Sequence, residues 1–245
     1  MIVAATLDRS DDKLLPLLFA AGTAKVLGAT RVGLVAPYLA YMRQDRRFQS
    51  GEALTSAHFA RLLSASVDWL VTVDPHLHLH WRRSLGEIYS IPTSVMHAAV
   101  LVSNWIRQNV AAPLVVGPDA ESEQWVTAVA NAAGAPYMIL QKIRRDDREV
   151  EVSVPDVERW HARTPVLVDD IISTARTMIE TGGHFHCAGL APPVCIGVHA
   201  VFAADACEAL RAGAARVVTC NTILHTSNAI DVEDLLASPL AVGEG

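Results

Sequence analysis

Five polar clusters in this sequence each follow a short apolar run, and their residue types suit the handling of phosphates and sugars. They read Tyr41-Met42-Arg43-Gln44-Asp45-Arg46-Arg47, Asp74-Pro75-His76, Gly117-Pro118-Asp119, Lys142-Ile143-Arg144-Arg145 and Asp169-Asp170-Ile171-Ile172-Ser173-Thr174-Ala175-Arg176-Thr177. The last is the most specific, because an apolar run delivers two aspartates and a Ser/Thr-rich turn then opens a helical pattern. Free backbone N–H groups at a helix start, with the hydroxyls of Ser173, Thr174 and Thr177, make a phosphate cradle. Asp169 and Asp170 could accept hydrogen bonds from two sugar hydroxyls or help hold a cation. The plainer alternative is that Ser173 is an ordinary helix cap and the aspartates favour the helix dipole. The cluster from Lys142 to Arg148 is charged and polar, as a loop closing over phosphates would be, or as a solvated turn would be.

The elements that must position these clusters alternate along the chain. Apolar, β-branched runs predict strands at 2–7, 31–37, 69–73, 114–117, 137–140, 165–168, 194–199 and 216–220. Helical spacing predicts helices at 12–27, 53–66, 94–110, 120–133, 174–188 and 204–212, with a possible break in the fifth at Gly182-Gly183. Such alternation implies parallel sheets covered by helices, with ligands beyond the carboxyl ends of the strands. A division near Ile91-Pro92 gives two similar α/β units, 1–92 and 93–245.

Composition narrows the function classes. The 245 residues are 51% hydrophobic and 19% charged, which excludes a disordered or low-complexity chain. No charge-free apolar run reaches the roughly 18 residues of a membrane helix, and residues 1–8 lack a signal-peptide pattern. Four scattered cysteines, Cys187, Cys195, Cys207 and Cys220, point to reduced thiols in a cytoplasmic protein. A net charge of -6 argues against a general nucleic-acid binder. The alternating His76, His78 and His80 could bind a transition metal, but His78 and His80 read more simply as surface residues.

The clusters carry a family resemblance. The run from Val166 to Thr174 resembles the phosphoribosyl-pyrophosphate loop of the type I phosphoribosyltransferase fold. Tyr41-Met42-Arg43-Gln44-Asp45-Arg46-Arg47, with Ser50-Gly51-Glu52, resembles a segment of ribose-phosphate pyrophosphokinases. Asp74-Pro75-His76 is similar to their D-x-H motif, Pro118-Asp119 to their P-D motif, and Lys142-Ile143-Arg144 to the K-x-R of their catalytic loop. The resemblance implies two phosphoribosyltransferase-like α/β domains, each a mostly parallel sheet flanked by helices. It implies transfer of pyrophosphate from ATP to the C1 hydroxyl of ribose 5-phosphate. On that basis Arg43 and Gln44 would bind ATP, and His76 and Asp119 would serve magnesium. Lys142 would be catalytic, and Arg144 would also contact ribose 5-phosphate. Asp169 and Asp170 would bind the ribose hydroxyls, and Ser173, Thr174, Ala175, Arg176 and Thr177 the 5-phosphate. It further implies a homo-oligomer.

The sequence departs from the family in two places. Residues 1–40 contain nothing like the family's amino-terminal F-x-D-G-E segment, so the first domain is expected to be incomplete. Ala175 and Arg176 stand where the family favours two glycines. A phosphoribosyltransferase using the same loop, or a catalytically weak homologue binding phosphorylated ligands, are the alternative functions.

Overall fold

The computed structural model describes residues 1–44, 47, 49–77, 84–118, 122–146, 149–153 and 157–242, with backbone alone at 141–146, 149–153, 157–158 and 241–242. The elements in chain order are β1 (Ile2–Ala4), α1 (Ser10–Val26), β2 (Gly33–Ala36), α2 (Thr55–Ser64), β3 (Trp69–Val73), β4 (Thr93–Met96), α3 (Ala99–Asn109), β5 (Pro113–Gly117) and α4 (Glu123–Ala133). They continue with β6 (Tyr137–Ile139), β7 (Gln141–Asp146), β8 (Glu149–Ser153), α5 (Val157–Trp160), β9 (Thr164–Ile172), α6 (Arg176–Cys187), β10 (Val194–Ala200), α7 (Ala206–Gly213), β11 (Arg216–Cys220), β12 (Asn228–Ile230) and α8 (Glu233–Val242).

Two compact units result, Met1–His97 with Val232–Gly245, and Ala98–Asp231. A cut at Ile91-Pro92 would separate β4 from β3, to which it pairs in parallel from Leu70↔Thr93 to Val73↔Met96. The first unit therefore runs on to His97, and α8 returns to it by packing on β3 and β4.

In the first unit the strands lie in the order β1-β2-β3-β4, all parallel. All four residues of β2 are buried, as a central parallel strand requires. Gly33 opens that strand because the Trp69 indole crosses it: a Cβ there would lie 1.8 Å from Trp69 Cζ2. Helix α2 buries Ser56, Phe59, Ala60 and Leu63, the i, i+3, i+4, i+7 stripe of a helix laid on a sheet.

The second unit holds a six-stranded parallel sheet in the order β12-β11-β10-β9-β5-β6. Strand β10 is buried at every position, and Leu114, Leu167, Cys195 and Phe185 are central to the core. The α/β class with parallel sheets and flanking helices is as the sequence leads one to expect. Helix α6 is unbroken at Gly182-Gly183, because Met178, Thr181 and Phe185 anchor its inner face. A Cβ added at Gly182 would lie at ordinary contact distance from Pro193, and one added at Gly183 would meet open space. The four cysteines are free, and Cys187 alone among them is exposed. Burial pushes the Cys195 thiol up to about 12, which makes it an inert packing group.

Candidate functional site

Strand order marks a candidate ligand crevice: the order in which the chain lays down the parallel strands of the second sheet reverses between β9 and β5. In open parallel sheets ligands sit outside the carboxyl ends of the strands at such a reversal. Strands β5 and β9 pair from Pro113↔Thr164 to Val116↔Leu167, so the residues after them emerge side by side. Strand β5 delivers Gly117 and Pro118, and β9 delivers Asp169 and Asp170. Asp119, the next residue after Pro118, lies outside the described residues.

Asp170 is 4% exposed, and its backbone N–H donates to Asp169 Oδ1 at 2.9 Å. The turn then passes Ser173 and Thr174 and enters α6 at Arg176. Ala175 turns the chain into the helix with φ 56° and ψ 5°, the left-handed region that glycine takes at least cost. Its N–H-rich neighbourhood is the open start of a twelve-residue helix. Arg176 is exposed on the first turn, a place where a cation opposes the helix dipole unless an anion is present. Of the residues singled out in the sequence, Asp169 and Asp170 thus lie on β9, Ser173, Thr174 and Ala175 on the turn after it, and Arg176 and Thr177 on the first turn of α6.

Backbone strain marks the same segments. Six non-glycine residues among those described have positive φ, and Tyr41, Asp74, His76 and Ala175 are four of them. Strained backbone of this kind persists where the surroundings over-determine it, which is commonest at ligand sites.

In the first unit, Arg43 and Gln44 are exposed on the turn beyond β2. That turn is fixed from below. Tyr41 donates its hydroxyl to Asp11 Oδ1 at 2.6 Å and meets Phe59 edge-on at 5.2 Å. The Gln44 carbonyl accepts from Ser56 Oγ at 3.0 Å, tying the turn to the start of α2. At the end of β3, Asp74 and His76 close a tight turn in which the His76 N–H donates to the Asp74 carbonyl at 2.9 Å.

The Asp74 carboxylate, 7% exposed, meets His97 Nδ1 at 2.9 Å, and that hydrogen bond raises the His97 pKa above its ordinary 6.5. The sign follows directly. A raised native pKa stabilises the fold fully below the unfolded value, and this is lost as pH rises through the native one. His97 is 71% exposed, so solvent screening reduces the effect to a few tenths of a kcal/mol. His97→Ala is expected to lower the melting temperature more at pH 5.5 than at pH 8.5. An equal loss at both values would show that the pair has no charged component. His97 escaped the sequence reading because residues 94–110 carry helical spacing, which hides the strand that ends one residue before it.

Lys142 and Arg144 fall on β7, which pairs antiparallel with β8, Lys142 against Val152 and Arg144 against Val150. The charged segment read as a loop is thus a two-stranded ladder in its described part, separate from both larger sheets. The side chains of Lys142 and Arg144 lie outside what is described.

Among the described residues no cluster of three or more His, Cys, Asp or Glu side chains could hold a metal. Asp74 Oδ1 is engaged by His97 Nδ1. Magnesium takes oxygen ligands and keeps several waters, so it would need only one or two protein donors beside the oxygens of substrate phosphates.

Comparison with known proteins agrees with this fold. The profile described as "Phosphoribosyl transferase domain" matches residues 84–236, and that described as "N-terminal domain of ribose phosphate pyrophosphokinase" matches residues 1–66. The ribose-phosphate pyrophosphokinase of Methanothermobacter thermautotrophicus is 32% identical over 238 residues, 96% of this chain and 81% of that one. That of Methanopyrus kandleri is 30% identical over 225 residues, 91% of this chain and 75% of that one. The crystal structure of phosphoribosylpyrophosphate synthetase from Mycobacterium smegmatis superposes with a TM-score of 0.82, covering 98% of this chain and 80% of that one at 23% identity. That last likeness concerns the fold.

Proposed function

The chain belongs to the ribose-phosphate pyrophosphokinase family, and on that premise we propose how its residues divide the work. The reaction transfers pyrophosphate from ATP to the C1 hydroxyl of ribose 5-phosphate, giving 5-phosphoribosyl 1-pyrophosphate and AMP. The observation that carries the assignment is the Asp169-Asp170 pair leading into the start of α6 at the reversal point of the six-stranded sheet.

The helix start, the hydroxyls of Ser173, Thr174 and Thr177, and the Arg176 guanidinium bind the 5-phosphate through charge-assisted hydrogen bonds. The backbone at Ala175 turns its neighbours' N–H groups toward that anion. Asp169 and Asp170 accept from the ribose hydroxyls and so orient the ring, leaving the C1 hydroxyl as nucleophile. That oxygen bonds to the β-phosphorus of ATP, the bond to the α-phosphate oxygen breaks, and the hydroxyl proton is released. Such a transfer asks the protein for positioning and charge neutralisation, not for a covalent nucleophile.

Lys142 is assigned to the negative charge developing on the transferred group and Arg144 to the reacting sugar phosphate. Arg43 and Gln44 are assigned to ATP. Magnesium, when bound, supplies charge neutralisation on the nucleotide phosphates, and His76 and Asp119 are the residues assigned to it. No helix among the described residues is long and apolar enough to cross a membrane. A cytoplasmic location and assembly with further copies of the chain complete the reading.

The test of the sugar site is Asp169→Asn. The amide keeps one acceptor oxygen but loses the charge, so the KM for ribose 5-phosphate is expected to rise about tenfold. The KM for ATP stays unchanged in the same assay of AMP release. A variant with an unaltered sugar KM would remove Asp169 from the site.

A further inference from the structure

We infer that His199 is a positioning residue for the ribose-phosphate loop, acting through the Thr222 hydroxyl and the backbone of β10. The inference rests on the reading above, in which residues 169–177 hold the sugar phosphate.

His199 lies at the end of an otherwise apolar strand and is 1% exposed, as is Thr222 in the turn beyond β11. Burying an imidazole costs free energy unless its ring nitrogens are bonded, and an apolar side chain would pack there without that cost. The bond is present: His199 Nδ1 and Thr222 Oγ1 are 2.9 Å apart. Thr222 donates its own hydroxyl proton to the Val198 carbonyl at 2.8 Å. Its oxygen must therefore accept from the imidazole, which assigns the proton to Nδ1. One hydroxyl thus pins both the His199 ring and the backbone before it, and joins the end of β10 to the turn after β11.

The chain leaving His199 then reaches the phosphate loop. Val201 N–H donates back to the His199 carbonyl at 3.1 Å, and Ala203 N–H donates to the Ser173 carbonyl at 3.2 Å. Ser173 is the first hydroxyl residue of the loop. On the other flank, His199 is the Cα partner of Ile171 and Ala200 that of Ile172, the two residues before Ser173. Between these contacts Phe202 lies against the His225 ring, with centroids 4.7 Å apart, so the exit of β10 is also packed on the turn after β11. Loosening the His199–Thr222 link frees the segment that holds Ser173 in place.

The experiment uses His199→Gln, His199→Asn, Thr222→Val and Thr222→Ser in the full chain, with steady-state AMP release and thermal melts. An asparagine amide nitrogen falls near the position of Nδ1, whereas that of glutamine falls near Nε2. His199→Gln and Thr222→Val are expected to raise the KM for ribose 5-phosphate about fivefold, with kcat and the KM for ATP within about twofold. His199→Asn and Thr222→Ser stay near wild type, and the Gln/Val double variant is no worse than either single one. A purely structural histidine would give the same kinetics for Asn and Gln, or shift both KM values together, and either result overturns the inference. Should His199→Gln fail to fold, the Thr222 pair decides by the same criteria. Asp169→Asn is run alongside. A raised sugar KM there with none in His199→Gln defeats the positioning role alone, whereas no change in Asp169→Asn defeats the site reading and the inference with it.

Discussion

Replacing Lys142 by alanine is expected to cut ribose 5-phosphate-dependent AMP release from ATP by about a hundred- to a thousandfold, in a chain that remains folded. Pyrophosphate transfer spreads negative charge over phosphate oxygens while one P–O bond forms and another breaks. A cation held where that charge develops lowers the barrier far more than it strengthens ground-state binding. The expected signature is a loss in kcat, with the KM values for both substrates changing little. Stability should hold, because among the described residues β7 and β8 form a two-stranded ladder of their own, apart from the sheets carrying the cores. A melting temperature near wild type with activity within tenfold would remove Lys142 from the chemistry. The same preparation without ribose 5-phosphate should release almost no AMP, which separates the transfer from simple hydrolysis.

The strand, turn and helix start around Asp169-Asp170 were legible in the sequence for a local reason. Apolar residues running into Asp169-Asp170, then small hydroxyl residues, encode strand, turn and helix start within a dozen positions. The strands 69–73 and 216–220 were equally plain, since uninterrupted β-branched runs between polar flanks admit little else. What escaped either carried a weak local signal or depended on distance along the chain. Strand β4 is only half-buried at all four positions, so it carries no strong apolar signature, and the helical spacing of the residues after it overran it. With it went His97 and the link to Asp74. The β7–β8 ladder was masked by its charges, although Glu149-Val150-Glu151-Val152 alternates as a strand does. The role of His199 could not be seen at all, because Thr222 stands 23 residues away and only the parallel register of β10 and β11 brings the two together. The diglycine in α6 shows the opposite case: local propensity argued for a break, and burial of Phe185 outweighed it.

Gly197→Ala is expected to cost about 2 kcal/mol of folding stability, near thirtyfold in the folding equilibrium, and to weaken the sugar-phosphate site as well. Gly197 is the Cα partner of Asp169 in the β9–β10 pair. A Cβ added there would lie 2.6 Å from Ile172 Cγ1 and 2.7 Å from its Cδ1, closer than real carbon contacts allow. Ile172 is 2% exposed within the core cluster, so its side chain has little room to retreat. The strain must then pass into the backbone of β9, one residue before Ser173. A double-mutant cycle isolates this cause. Ile172→Ala removes both clashing atoms and leaves its own cavity, costing about 2–5 kcal/mol alone. Combined with Gly197→Ala, the loss should fall short of the sum by at least about 1 kcal/mol, because the new methyl group occupies space that the isoleucine vacated. Additive losses in urea unfolding would show that the two side chains do not compete for that volume. The sugar KM gives the second readout: raised in Gly197→Ala, it should fall back toward the Ile172→Ala value in the double variant, since the displacement of Ser173 would then have lost its source.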